Sequence, residues 1–593
     1  MRCSLLLTGL KTFIANQIVD KKIAFSLNQG AESPSNPRTS FFIMIFSKQV
    51  RALLLLLPLL FSRATSAQNF TEILGRPTDK SMTISALFSQ VVQVYFEYGT
   101  SAGNLSLATP TATSIADTPL VLEFQPLAAN TRYYYRTVYK TPGAVIFNFG
   151  PIRTFHTQRA PGSSFTFTVE ADEHLYDKKG IRSLYQICLQ NQAQDSADFM
   201  LSLGDTFGDD HTPETTTSED MKALHLDYRQ YLGAVCHSMP FFFCLGNHEG
   251  ESGYWLDQTP PNNIAVYGTN WRKFYYPNPV PNDFYSGNTT IEPFGIGQPE
   301  NYYAFTWGDA LFVVLDVYRD CDVDEKPQKW DWTLGKTQYD WLKNTLETSN
   351  AAHKFVFAHH NRGQGRGGAI PATGFEWGGM DGNQYKFDEF RPGWGLPIHQ
   401  LMVANGVNIF FQGHDHLYAK ENMDGLVYQE VPMPSDTSYQ IGVLANADAY
   451  TDLTLDGSGH LRVTVESGCT TVDYVAAYLP EDTLGMHKNR EIRYSYKVGN
   501  CAVPTEDVPD PARPFFITTP NPTTGNITLK TSEAANAERR IEVFDLHGRL
   551  VREAILEAGE TSVLVDLGGL SSGIFVVRLT GDGGIMAQKI IFQ

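Results

Sequence analysis

Five short motifs along this chain place carboxylates and imidazoles at spacings that suit metal chemistry. They are Asp172-x-His174, Gly204-Asp205, Gly246-Asn247-His248-Glu249, His359-His360 and Gly413-His414-Asp415-His416. Carboxylates, imidazoles and one amide, with no thiolate, form a ligand set for two borderline divalent or trivalent ions. A two-metal site needs one bridging carboxylate and ligands converging from several loops onto ions ~3.5–4 Å apart. Taken singly, each motif has a plain structural alternative. An Asp that follows a strand is commonly a helix N-cap, which is the competing reading for Asp172 and Asp205. A lone His is most often a core or surface residue. The set carries the signal, because all five motifs follow an apolar run.

Those runs are the elements that must position the ligands. FTFTVEADEH leads into GIRSLYQICLQ, and DFMLSLGD precedes the helical pattern SEDMKALHLDYRQYLGAV. PFFFCLGNHE follows, then TQYDWLKNTLET before KFVFAHH, and LPIHQLMVANG before VNIFFQGHDH. This is βαβ alternation with polar residues where each strand ends. In open α/β sheets the ligand crevice lies at the C-terminal strand ends, so motifs far apart in sequence can share one site. A glycine before a ligand suits a tight turn, where positive φ or close backbone approach is required.

The alternation covers residues 160–500. Before it, residues 68–158 read as an all-β segment, with SMTISALFS, VVQVYFEYGT, LVLEFQPL, TRYYYRTVYK and PIRTFHT separated by turn residues. Residues 502–516 are rich in proline and acid and read as a linker, and 517–593 return to short strands with glycine turns, which fits a small β-sandwich. The predicted fold class is multidomain: α/β at the centre, all-β on both flanks.

The block order resembles the calcineurin-like metallophosphoesterase superfamily: D-x-H, G-D, G-N-H-[DE], H and G-H-x-H, over residues 168–418. The resemblance implies a dinuclear centre in an α/β sandwich. Asp172, His174 and His416 would hold one ion, Asn247, His359 and His414 the other, and Asp205 would bridge them. His248 would act as general acid on the leaving group. The ions would come from Fe, Mn and Zn. They would lower the pKa of a bound water, giving a hydroxide that attacks phosphorus in line, and would neutralise charge developing on the phosphate. The β segment before the catalytic domain, with an LEFQPLAANTRYYYRTV stretch like the E–F corner of a fibronectin type III sandwich, is further similar to purple acid phosphatases. One position departs from them. Their G-D-x-x-Y supplies a tyrosine ligand, whereas GDTFG has Gly208 there, and His174 brings an imidazole that they lack. Weaker candidates for substrate contact are His360, Arg362 and Arg366 in HHNRGQGRGG. Glu173 and Asp415 are expected to face away from the ions or to make supporting hydrogen bonds.

The last 77 residues resemble the C-terminal sorting domain of the type IX secretion system of Bacteroidetes, through PNPTTGNITL, VFDLHGRLV, LSSGIFVVRL and QKIIFQ. Residues 1–67 form a leader. ALLLLLPLLF at 52–61, with Lys48 and Arg51 before it and SRATSAQ after it, reads as a signal peptide over about 44–67, with translation starting at Met44. That run is too short to span a bilayer, so no transmembrane segment is expected. Signal and sorting domain together imply a secreted or cell-surface protein that meets the type IX machinery. A formal charge of −18 argues against nucleic acid as partner, and the superfamily resemblance implies a small phosphorylated substrate. The first functional reading is a phosphomonoesterase. A phosphodiesterase or nucleotidase with the same centre is the alternative. A surface binding protein with a dead catalytic domain is disfavoured by the complete ligand set. Six cysteines beyond Cys3 could pair in an oxidising compartment, with the pairing open.

Overall fold

The computed structural model describes residues 70–592 apart from 177–178, 208–211, 257–261, 322, 324–325, 362, 364, 484–486, 502–515, 520–522, 532–533, 546–548 and 582–583. The leader with its apolar run and Met44, nearly all of the linker, and the positions Gly208 and Arg362 lie outside the described residues.

Two sheets pack face to face at the centre of the chain. The first has six strands in the order Phe241–Phe243, Phe199–Ser202, Phe165–Glu170, Ser458–Glu466, Cys469–Ala477 and Ile492–Gly499. Its first three strands are mutually parallel and the rest are antiparallel. The second sheet has eight strands. In it Ala310–Val314, His353–Phe357, Ile409–Gln412 and Leu426–Glu430 run parallel to their neighbours in that order. The aromatic spacing of the sequence builds the layer between the sheets. Phe167 sits 5.0 Å from Phe312, 5.8 Å from Phe355 and 6.3 Å from Phe411, measured between ring centroids across the two sheets. Each fully buried ring of this kind contributes roughly 1.5–3 kcal/mol.

The outer faces are buried too. Met200, Phe241 and Phe243 of the first sheet, with Val313, Val356 and Phe410 of the second, belong to a cluster shared with the helices. Those helices are Arg182–Gln194, Ser218–Leu232, Gly335–Thr348 and Ile398–Ala404. Burial on both faces explains why Thr168 and Glu170, polar positions of the alternating FTFTVE strand, are fully enclosed. Ser218–Leu232 starts with a capping box, in which Thr217 Oγ1 accepts from Asp220 N and Asp220 Oδ2 accepts from Thr217 N.

The N-terminal strands form a β-sandwich of a three-stranded sheet (Phe70–Gly75, Met82–Phe88, Leu120–Phe124) and a second sheet built on Gln93–Gly99 and Arg132–Lys140. Tyr133 Oη accepts from Ala128 N at 2.9 Å, pinning the corner ahead of its own strand. The sandwich is hydrogen-bonded into the centre. Arg229, fully buried on the Ser218–Leu232 helix, donates from Nε to Thr71 Oγ1 at 2.9 Å and from Nη2 to Ser85 O at 2.6 Å. Residues from 516 onward form a separate pair of small sheets around Ile527, Leu529, Ile541, Val543 and Val577. Cys469 pairs with Cys501, closing the end of the central domain, while Cys188, Cys236, Cys244 and Cys321 are buried thiols. No helix among the described residues is long and apolar enough to cross a membrane.

Candidate metal centre

All five motifs meet at one edge of the double sheet. Phe165–Glu170, Phe199–Ser202 and Phe241–Phe243 deliver Asp172 and His174, then Asp205, then Asn247 and His248 from the first sheet. His353–Phe357 and Ile409–Gln412 deliver His359, and His414 with His416, from the second. Neither aspartate caps a helix. Arg182–Gln194 starts well past Asp172 and is preceded by Ile181, which makes no side-chain cap, and Ser218–Leu232 is capped by Thr217. The backbone pays for the convergence at the ligands themselves: Asp172, His174, Asp205, His414 and His416 all have positive φ, from 45° to 81°. Two of the glycines act instead through lack of bulk. A Cβ on Gly413 would lie 2.5 Å from Asp172 Oδ2, and one on Gly246 would lie 2.3 Å from Asp205 Oδ1.

Two groups of side chains result. Asp172, His174 and His416 form one and Asp205, His359 and His414 the other, with the ligand atoms of each within 4.8 Å of one another. Asn247 Oδ1 lies 3.1 Å from His359 Nε2, on the second group. Asp205 Oδ2 lies between the groups, 3.3 Å from His359 Nε2 and 3.7 Å from His174 Nε2. His248 is anchored beside them, its N donating to Asp205 Oδ1 at 2.8 Å and its Nε2 3.9 Å from Asp205 Oδ2.

The donors fit cations. Asp172 Oδ1 is buried and makes no hydrogen bond among the described residues. Imidazole Nε2 atoms of His416, His174 and His359 surround it at 3.7, 3.8 and 3.9 Å. These separations exceed hydrogen bonds and lie inside the span of two metal–ligand bonds of ~2.1 Å each. The outer ring nitrogens are already used. His359 Nδ1 bonds Leu203 O, His416 Nδ1 bonds Leu444 O and His174 Nδ1 bonds Tyr176 Oη, each at 2.9 Å, which leaves Nε2 facing inward.

Electrostatics point the same way. Burial pushes the Asp172 carboxyl up to about 7, opposed by His359 and reinforced by Asp205. Burial and then the Asp205 charge push Glu249 up to about 7. Burial acts to lower His359, yet the Asp205 and Asp172 carboxylates outweigh it and raise the imidazole to about 10. Burial holds His414 and His416 well below the usual imidazole range, as neutral rings able to ligate. Enclosed negative charge that draws in protons is charge that cations would balance.

Five of the convergent side chains, His174, Asp205, His248, His414 and His416, line a cavity of about 210 Å³. Arg366, Lys179 and Asn446 line it too. His360 is not among the lining residues. Its Nε2 bonds Gly367 O at 3.0 Å, and its ring lies 5.1 Å from that of His414. Asp415 and Glu173 are enclosed and hydrogen-bonded to supporting groups, Asp415 to Arg366 and Gly367 and Glu173 to Thr206 and Tyr185.

Sequence reasoning missed Glu249. Its carboxylate accepts from Thr206 N at 2.7 Å, Phe207 N at 3.0 Å and Asp205 N at 3.0 Å, and also from Gly246 N, so it shapes the loop that presents Asp205. The acid that closes G-N-H-E was the available signal. Tyr176, Lys179 and Asn446 had no signal beyond proximity in the fold.

Residues 165–418 match the calcineurin-like phosphoesterase family, and residues 519–593 match the secretion system C-terminal sorting domain. Among solved structures, that of PhoD is similar at 16% identity and a TM-score of 0.51, over 72% of this chain and 90% of that one. A purple acid phosphatase, PPD1 from yellow lupin (Lupinus luteus) seeds, aligns at 14% identity and a TM-score of 0.48, over 73% of this chain and 74% of that one. The PhoD likeness is one of fold. No curated protein matches the chain. Residues 165–418 are therefore a calcineurin-like phosphoesterase domain with candidate metal-ligating side chains at its strand ends, followed by a secretion sorting domain at residues 519–593.

Proposed function

We propose that this protein hydrolyses phosphate monoesters at a two-cation centre. Asp172, His174 and His416 would hold one ion, Asn247, His359 and His414 the other, with Asp205 joining them. The observation that carries the reading is the placement of Asp205 Oδ2 within 3.7 Å of an inward-facing imidazole nitrogen of each group. The ions, from the set Fe, Mn and Zn, would supply an activated water and neutralise charge on the phosphate.

The chain's own residues do the rest. His248, fixed through its backbone to Asp205 and partly exposed in the cavity, would protonate the departing alkoxide oxygen. Arg366, which lines the same cavity, would offer guanidinium N–H groups to non-bridging phosphate oxygens. The enclosing sheets exclude bulk water from the ligand groups, so these charges act in a weakly screened environment. The sorting domain supports export. We read the enzyme as one delivered outside the cell or to its surface by the type IX machinery, where it meets small phosphorylated solutes.

The test is a substrate panel on purified protein with elemental analysis. Turnover of p-nitrophenyl phosphate well above that of bis-p-nitrophenyl phosphate is expected, and the reverse order would overturn the monoester assignment. His248→Ala should keep its metal and lose roughly 10²–10⁴-fold in turnover. A fully active His248→Ala protein would remove its assignment as proton donor.

A further inference from the structure

We infer that Asp415 is a positioning residue that holds Arg366 and Asn446 together as one phosphate-binding wall facing the ligand groups. The inference rests on the phosphoesterase reading above and assigns a part of that site which the motifs do not name.

Asp415 sits between the candidate ligands His414 and His416, yet its carboxylate is spent elsewhere. Oδ1 accepts from Arg366 Nη1 at 2.9 Å and Oδ2 from Gly367 N at 2.7 Å. Its backbone ties down the other wall, since Asp415 O accepts from Asn446 N at 2.8 Å. Asp415 N donates to Glu430 Oε1 at 2.9 Å, and Glu430 Oε2 in turn accepts from Gln412 Nε2 and Tyr450 Oη, each at 2.9 Å. The two walls also touch each other. Gly367 has φ +88°, and a Cβ there would lie 2.8 Å from both Cβ and O of Ala449. One enclosed residue thus sets the spacing between two chain segments that both reach the cavity.

The Asp415 side chain is completely buried, whereas that of Arg366 is 45% exposed. The guanidinium is therefore tethered to a carboxylate through Nη1, and its side chain remains partly exposed at the cavity. An arginine restrained in this way loses less freedom when it binds an anion than one on a loose loop. A monoester dianion has one more anionic oxygen than a diester, and a fixed guanidinium beside an amide suits that oxygen. Asp415 accordingly acts on substrate affinity through Arg366 without touching substrate.

The test is a double-variant cycle read by KM for p-nitrophenyl phosphate, by competitive inhibition with inorganic phosphate, and by metal content. Asp415→Asn should raise KM and the phosphate inhibition constant roughly 10-fold, with kcat changed by less than about 3-fold and both metals retained. Arg366→Ala should do the same, and the double variant should be no weaker than Arg366→Ala alone. Arg366→Lys should recover only part of the loss, because it keeps the charge without the fork. The inference is overturned if KM and phosphate inhibition stay at wild-type values in Arg366→Ala. It is equally overturned if the single effects multiply in the double variant, or if Asp415→Asn lowers kcat and metal content with KM unchanged. A wild-type protein without activity on any phosphate ester would overturn the phosphoesterase reading itself, a result distinct from an active wild type with an unaltered variant.

Discussion

Replacing Glu249 with glutamine changes one atom of the carboxylate and should disturb the whole Asp205 loop. In the native structure Oε1 accepts from Thr206 N and Phe207 N, and Oε2 accepts from Asp205 N and Gly246 N. A glutamine keeps one acceptor oxygen and turns an NH2 group toward the other pair of N–H donors. Two buried hydrogen bonds to a charged acceptor are lost, at roughly 1.5–3 kcal/mol each, for a total of about 3–6 kcal/mol. For a domain of this size that lowers Tm by on the order of 10 °C. The same loop presents Asp205 to both ligand groups, so metal content should fall together with stability. Differential scanning calorimetry and elemental analysis of wild type and Glu249→Gln, prepared side by side, give both quantities. A variant that melts within 2 °C of wild type (about a fifth of the expected shift) and holds the same metal would refute the claim that this carboxylate builds the loop.

Three further outcomes are expected. Asp205→Ala should reduce metal binding at both groups, whereas His174→Ala should spare the ion held by His359 and His414; equal losses in the two variants, counted by elemental analysis, would contradict the shared position of Asp205. Gly413→Ala must push Asp172 or the loop aside, because its Cβ meets Asp172 Oδ2 and Ala171 Cβ at 2.5 and 2.7 Å, and a metal affinity equal to wild type would show that the approach can relax freely. His225 is fully buried, and burial together with Arg272 lowers its pKa from 6.5 to about 3. Its stabilisation is therefore complete above pH 6.5 and is lost as pH falls toward the folded value, by about 2 kcal/mol between pH 7 and 5. His225→Phe, which keeps a ring against Phe207, should lose about 2 kcal/mol less over that interval in urea titrations, and an unchanged pH slope would exclude His225 as its source.

Much of the convergence could be read from the sequence because the candidate ligands follow apolar strands in a fixed order. Asp172, Asp205, Asn247, His359 and His414 each sit a residue or a few past the end of a hydrophobic run, and parallel pairing brings such ends to one edge. Sequence could not reveal that the ligands, more than the glycines before them, would carry the left-handed backbone. That follows from how two sheets crowd their loops together, which no local pattern records. By sequence His360 is either an outer-sphere contact or a solvated neighbour of His359; the fold buries its ring and bonds it to Gly367 O, seven residues later. Ser458–Glu466 and Cys469–Ala477 extend the first sheet from nearly 300 residues away in sequence, and only pairing with Phe165–Glu170 reveals it. The Cys469–Cys501 bond was likewise one pairing among several until the fold brought those two ends together.

The hydrogen bonds of Arg229 bear on how this protein can be dissected. A border near residue 159 looks natural in the sequence, but it is no border for the guanidinium, whose partners Thr71 and Ser85 lie on the far side of it. An excised fragment starting at the first catalytic strand would leave that cation opened to water and stripped of three of its four acceptor atoms, keeping only Tyr275 O. A fragment that keeps the N-terminal sandwich should therefore be more stable than one cut near residue 159, because what reads as an accessory module shares buried hydrogen bonds with the central domain.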